Sequence, residues 1–113
     1  MKNKSIRKEI HKEMKSKYNR KAYKEPIYRM VQFNGKEIEL KIYFKDGQFV
    51  AEFQMMPQTV YGTGPKIKVA VDEAVRQLYA FVERCSDSLA NGIALIPEIE
   101  KAYKYLIEEN WHD

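Results

Sequence analysis

The chain has 113 residues, of which 44% are hydrophobic and 32% charged, values typical of one globular domain and not of a disordered chain. It has no apolar run of the roughly 18 residues that a transmembrane helix needs, and its basic start has no apolar signal-peptide core. The single cysteine, Cys85, has no partner for an internal disulfide, which favours a reducing compartment. We therefore expect a cytoplasmic protein.

The net charge of +4 is unevenly distributed. Residues 1–25 carry ten Lys or Arg against three Glu, a net +7, and the other 88 residues carry ten basic and thirteen acidic side chains, a net −3. We call residues 1–25 the basic arm and predict that residues 26–113 form a single α+β domain. The arm either attracts an anionic partner or is a solvated surface that keeps the protein in solution.

The first predicted element is a helix over residues 5–22. Ile6, Ile10 and Met14 recur every four residues and Tyr18 follows, which gives a narrow apolar stripe. The helical pattern ends before Pro26, because the residue that precedes a proline is disfavoured in the helical region.

Three strands are predicted next, over residues 27–33, 36–44 and 48–54. Asn34-Gly35 separates the first two strands and is the strongest short-range signal for a hairpin, since both turn positions require a positive φ. A second turn at Asp46-Gly47 leads into the third strand. The apolar residues alternate, so we expect a meander with one apolar face that another element must cover.

The predicted cover is a helix over residues 65–85. It follows a loop from residue 55 to Pro65, in which a short extended stretch at Thr59-Val60-Tyr61 is the alternative. Apolar residues from Ile67 to Cys85 recur at helical spacing in a wide stripe. Pro97 opens a last helix, which extends toward Trp111. The predicted fold is α+β: a three-stranded antiparallel meander packed on an amphipathic helix, in the order α-β-β-β-α-α.

The sequence offers little chemistry for catalysis. His11 and His112 lie near the two termini without partners at metal-ligand spacing, and Cys85 falls on the apolar face of the core helix. We therefore expect a non-enzymatic protein without catalytic residues, metal, cofactor or small-molecule substrate.

Tyrosines alternate with lysines and arginines in the basic arm. Lys and Arg neutralise phosphates, and tyrosine rings stack on bases, so this pattern favours nucleic acid, RNA above DNA, or a nucleoprotein. The same residue types occur at protein interfaces, and a purely solvated arm is the third reading. Two further lysines follow Gly64-Pro65 at a predicted helix N-terminus, where an anion or only solvent is expected. The candidate binding residues are Lys15, Lys17, Tyr18, Arg20, Lys21, Tyr23, Lys24, Lys66 and Lys68.

The element order over residues 5–85 resembles that of the double-stranded RNA-binding domain. Gly62-x-Gly64, followed by Lys68-x-Ala70-x-x-x-Ala74, is similar to the stretch that opens the second helix of that family. The resemblance implies that lysines at the helix start contact phosphates of duplex RNA. By position these are Lys66 and Lys68.

Two other resemblances imply a protein partner. The run Asp46-Gly-Gln-Phe-Val-Ala-Glu-Phe53 resembles the hairpin of HicB-like antitoxins. In size and charge, the chain also resembles small anti-CRISPR inhibitors from phages and mobile elements. The alternative function is therefore an inhibitor or antitoxin that binds a nuclease, a CRISPR effector or another defence complex through its sheet edge, helix faces and acidic end.

Overall fold

The computed structural model describes residues 25–108, which form one four-stranded sheet and two helices. The predicted helix over residues 5–22, most of the basic arm and Trp111 lie outside these residues. The strands are β1 (Ile27–Phe33), β2 (Lys36–Lys45), β3 (Gln48–Phe53) and β4 (Tyr61–Gly64). The helices are α1 (Ile67–Ala90) and α2 (Pro97–Ile107).

The sheet is antiparallel with the spatial order β1-β2-β3-β4. Both predicted turns are confirmed: φ is +53° and +76° at Asn34 and Gly35, and +51° and +83° at Asp46 and Gly47. These left-handed conformations favour Asn, Asp and Gly, which explains the residue types at both turns.

The prediction of three strands is wrong, because the segment expected to be a loop contributes β4. In this strand Gly64 pairs with Phe49, and Tyr61 pairs with Glu52. The strand was missed because its inward positions are Gly62 and Gly64, so it lacks the alternation of apolar side chains that marks a strand. Because neither glycine has a side chain, α1 packs directly on the backbone of β4.

Helix α1 also differs from its predicted bounds of 65–85. Pro65 lies before the helix, since Lys66 is the extended N-cap residue with φ −132°. The helix continues past Cys85 to Ala90, and Gly92, at φ +76°, follows its end. The polar residues after Cys85 remain helical beside α2, where the Ser86 and Tyr103 hydroxyls lie 2.9 Å apart. The start of α2 at Pro97 is confirmed.

The core lies between the helices and the face of the sheet that we call the inner face. The prediction that α1 covers the apolar face is confirmed. Each large apolar side chain that is fully buried stabilises the fold by roughly 1.5–3 kcal/mol. The largest fully buried side chains are Ile38, Leu40, Ile42, Val60, Leu78 and Leu106.

Two ends of the sheet matter for the site. One end of the strands, which we call the arm edge, is where β1 begins, β2 turns into β3 and β4 ends. The basic arm precedes β1 in the chain, so it joins the domain at this end. At the other end of the strands, which we call the opposite edge, β1 turns into β2, and Lys36 contacts α2. The ammonium of this buried lysine donates a hydrogen bond to the Tyr105 carbonyl and lies 4.1 Å from the centre of the Tyr105 ring.

Candidate nucleic-acid interface

The residues predicted to bind through the arm lie outside the described part of the chain. They are Lys15, Lys17, Tyr18, Arg20, Lys21, Tyr23 and Lys24. What the structure does fix is where the arm is attached, since Pro26 leads directly into β1 at Ile27. The base of the arm is therefore at the arm edge.

The two other predicted residues, Lys66 and Lys68, lie at the start of α1, which follows β4 beyond the same edge. The strands β1 and β4 are three strand spacings apart, roughly 14 Å. The fold thus brings the base of the arm and the two lysines to one end of the sheet, although some 40 residues separate them in sequence.

The N-terminus of α1 is open and positively polarised. Lys66 forms no side-chain capping hydrogen bond, and the first turn, which is fully described, contains no acidic residue. The first backbone N–H groups of a helix have no partner within the helix, and the helix dipole adds a partial positive charge. Both exposed lysines add to this positive potential.

Lys68 is held only weakly. Its ammonium lies 2.9 Å from a carboxylate oxygen of Asp72, one helical turn later, and its side chain is 83% exposed. Exposed pairs with this spacing contribute only about 0.3–0.5 kcal/mol and are screened by salt. An incoming phosphate can therefore replace Asp72 as the partner of Lys68.

A third lysine at the arm edge, Lys45, was not among the predicted residues. It is the last residue of β2, pairs with Gln48 across the turn and is exposed. In the sequence it reads only as part of the Lys45-Asp46-Gly47 turn. Its proximity to the end of β4 depends on strand pairing, which residue spacing alone does not reveal.

The glycines of the Gly62-Thr63-Gly64 stretch have a packing role. A Cβ on Gly62 would lie 2.3 Å from the Ala74 nitrogen and 2.4 Å from the Ala70 carbonyl oxygen. A Cβ on Gly64 would lie 2.5 Å from a methyl group of Val69. The close approach of β4 to α1 therefore explains both glycines without a phosphate loop.

The outer face of the sheet, opposite the two described helices, carries aromatic and charged side chains. The Tyr43 hydroxyl donates a 2.9 Å hydrogen bond to Glu52. Burial raises the pKa of Tyr43, and the hydrogen bond and negative charge of Glu52 raise that pKa further. Tyr28 and Tyr61 lie on the same face with 55% and 43% of their surface exposed. None of these three tyrosines is among the binding residues predicted from the sequence.

Residues 25–108 include one cysteine and twelve carboxylates, residue types that serve nucleophilic catalysis or metal binding. Cys85 is free and buried, and burial raises the pKa of its thiol. Residues 25–108 contain no group of three or more His, Cys, Asp or Glu that could hold a metal ion. His11 and His112 lie outside this range. Among the helices that the structure describes, none is long and apolar enough to cross a membrane.

No protein-family model matches the chain, and no curated protein or solved structure is significantly similar to it. The class of protein established by the structure is a small α+β domain with a four-stranded antiparallel sheet. The resemblances to double-stranded RNA-binding domains, HicB-like antitoxins and anti-CRISPR inhibitors remain predictions.

Proposed function

We propose that this protein is a non-enzymatic binding module that engages nucleic acid, or the nucleic acid of a nucleoprotein, at the arm edge. The observation that carries the proposal is topological. The strand that follows the basic arm begins at the same end of the sheet where β4 delivers Lys66 and Lys68 to the start of α1.

The charge distribution supports the same surface. Residues 25–108 carry ten basic and twelve acidic side chains, a net −2, so the domain as a whole does not attract a polyanion. One of the ten basic residues, Lys36, is buried against α2. Binding to phosphates therefore depends on the arm and on the lysines at the arm edge.

The test is fluorescence anisotropy of labelled single-stranded and duplex RNA and DNA with the full chain, across a salt series. We expect affinity to fall by orders of magnitude between about 50 and 200 mM salt, because each neutralised phosphate releases counterions. A triple variant, K45Q/K66Q/K68Q, should reduce the magnitude of the log–log salt slope by roughly 2 to 3.

The matched control is the triple variant R84Q/K101Q/K104Q, which removes the same charge from exposed positions of the two helices. Its salt slope should equal that of the wild type. If the wild type binds none of the four nucleic acids at 50 mM salt, or if both triple variants change the slope equally, the proposal is wrong.

A second function, as a protein-binding inhibitor or antitoxin, is favoured by the exposed edge strand β1. No described strand pairs with its outer side, and Ile27, Tyr28 and Met30 are each at least 39% exposed. Such an edge can accept a strand of a partner protein by backbone hydrogen bonding.

This second function predicts a complex that is captured from host lysate even at high salt, because an apolar interface is little screened. A charge in the edge strand, M30K, should abolish capture, whereas K45Q should not. Loss of the complex at high salt, or its persistence with M30K, would contradict this second function.

A further inference from the structure

One row of outer-face side chains crosses all four strands. The pairing register places Tyr28 opposite Lys41, Lys41 opposite Glu52, and Glu52 opposite Tyr61. Cross-strand partners in an antiparallel sheet lie on the same face. The row therefore presents an aromatic ring at each side of the sheet, with a lysine and a carboxylate between them.

A groove of about 480 Å³ lies on this face over β2, β3 and β4. Tyr43 and Tyr61 line it, and Pro57 and Gln58 of the β3–β4 connection contribute its wall. Pockets that hold small organic groups usually measure about 300–1,000 Å³, so the groove accommodates one nucleotide.

The groove also has the polar groups needed to bind a base edge. Gln48, Gln58 and Thr63 line it and carry both donors and acceptors. The Glu52 carboxylate already accepts a hydrogen bond from Tyr43, which fixes the position of the tyrosine hydroxyl. The ring of Tyr43 is thereby held in place before a ligand arrives.

Charge on the outer face changes along β2. Glu37 and Glu39 lie in the half near the opposite edge, whereas Lys41 and Lys45 lie in the half near the arm edge. Glu52 pairs with Lys41 across the sheet, so the half near the arm edge is less acidic than the other half but not strongly basic. The groove is lined by Lys45 together with Asp46 and Glu52, which suits an uncharged base better than a phosphate and leaves the phosphates to the lysines of the arm edge.

We propose that this groove is a base-stacking subsite for a single-stranded nucleic acid whose phosphates are held at the arm edge. This inference rests on the proposed function and specifies its ligand. In a duplex the bases are paired and stacked on one another, whereas unpaired bases can stack on exposed aromatic rings. The exposed Tyr61 supplies such a ring, and the half-buried Tyr43 lines the groove beside it.

The test compares Tyr61→Ala and Tyr61→Phe in the full chain, by anisotropy with single-stranded RNA, the DNA of the same sequence and an RNA duplex. We expect Tyr61→Ala to weaken single-strand binding by roughly 5- to 100-fold, the range that stacking of one base provides. Tyr61→Phe keeps the ring and should bind within about twofold of the wild type. The salt slope and the duplex affinity should not change, because no phosphate contact is lost.

The control is Tyr79→Ala, which removes another exposed tyrosine from α1, beside Phe33 on the inner side of the sheet. It should leave single-strand affinity unchanged.

The two single strands also show what the subsite recognises. If Tyr61→Ala weakens the binding of RNA and DNA equally, the subsite recognises the bases alone. If it weakens RNA binding more, the subsite also recognises the ribose hydroxyl. Both results support the subsite.

Photocrosslinking of the unmodified protein to a 5-bromouridine oligonucleotide provides a measurement that does not depend on the folding of a variant. Crosslinks at Tyr43 or Tyr61 are expected. If single-strand binding is steep in salt but unchanged by Tyr61→Ala, with crosslinks confined to the arm, the subsite is wrong and the proposed function stands. If the wild type binds no nucleic acid, both are wrong.

Discussion

The inner and outer faces of the sheet have the same alternating pattern but differ in how completely packing explains their residues. On the inner face, buried apolar side chains and two glycines fit against α1 and α2, and packing accounts for these residue types; the buried Lys36 is held there by Tyr105. On the outer face, three tyrosines lie among charged residues on the side away from both described helices. Residues that packing does not explain are therefore the better candidates for binding.

The strongest destabilisation should come from a substitution at the tightest contact of the inner face. Gly62→Ala should lower the free energy of unfolding by about 3 kcal/mol, because the added Cβ would meet backbone atoms of Ala70 and Ala74 that have no room to move. Urea denaturation measures this loss. Gly64→Ala is the matched control with a smaller expected loss, since its nearest contact is a Val69 side chain. A loss below about 1 kcal/mol for Gly62→Ala would contradict the close packing of β4 on α1.

The next largest loss of stability is expected at Lys36, a buried lysine of the inner face at the opposite edge. Lys36→Ala should lower the free energy of unfolding by about 2 kcal/mol, because the Tyr105 carbonyl loses its charged donor and the ring loses its cation. Lys45→Ala, at an exposed strand end, should change stability by less than about 0.5 kcal/mol. Equal melting curves for the two variants would contradict the structural role of Lys36.

On the outer face, Tyr43→Phe should cost about 1 kcal/mol near neutral pH, because it removes one hydrogen bond to Glu52. The pKa of Tyr43 is raised above 10.0, so folding favours the protonated phenol. This contribution is fully present below pH 10.0 and is lost as the pH rises through the raised pKa.

The difference in free energy of unfolding between wild type and Tyr43→Phe should therefore shrink as the pH rises above 10.0. Urea denaturation at several pH values below and above 10.0 measures this difference. If the difference in free energy of unfolding instead grows with pH, the hydrogen bond from Tyr43 to Glu52 does not stabilise the fold as described.

Apart from the Lys45 control, the smallest change in stability is expected at Tyr61. Tyr61→Ala should change the free energy of unfolding by about 0.5 kcal/mol, as is usual for exposed positions. Thermal denaturation beside the wild type measures it. If the free energy of unfolding falls by more than about 2 kcal/mol, Tyr61 supports the fold. Packing would then explain this outer-face residue as it explains those of the inner face.

Much of the sheet was predictable because its signals are local. Asn34-Gly35 and Asp46-Gly47 determine both turns within a few residues, and the alternation between them determines which face is buried. Strand β4 was not predictable in this way, since its glycines are selected by contact with Ala70 and Ala74 of α1. The end of α1 was misplaced for a similar reason, because Ser86, the first polar residue after Cys85, contacts Tyr103 of another helix.

The candidate site was predictable only in part. Lys66 and Lys68 were identified from local signals, namely a helix start and its charge. Lys45, Tyr43 and Tyr61 were not, because their grouping depends on the order and register of four strands. Residue types are visible in a sequence, whereas the distance between two strand ends appears only after the sheet is assembled.

Nucleic-acid binding at the arm edge is tested most directly by two variants of the chain that have the same change in charge. One replaces Lys17, Arg20, Lys21 and Lys24 of the arm by Gln, and the other replaces Arg76, Arg84, Lys101 and Lys104 of the helices by Gln. If the arm edge binds nucleic acid, the arm variant should lose most of its affinity at about 50 mM salt and reduce the salt slope by roughly 3, whereas the helix variant should retain the wild-type slope. Equal losses from both variants, or no loss from the arm variant, would contradict nucleic-acid binding at the arm edge.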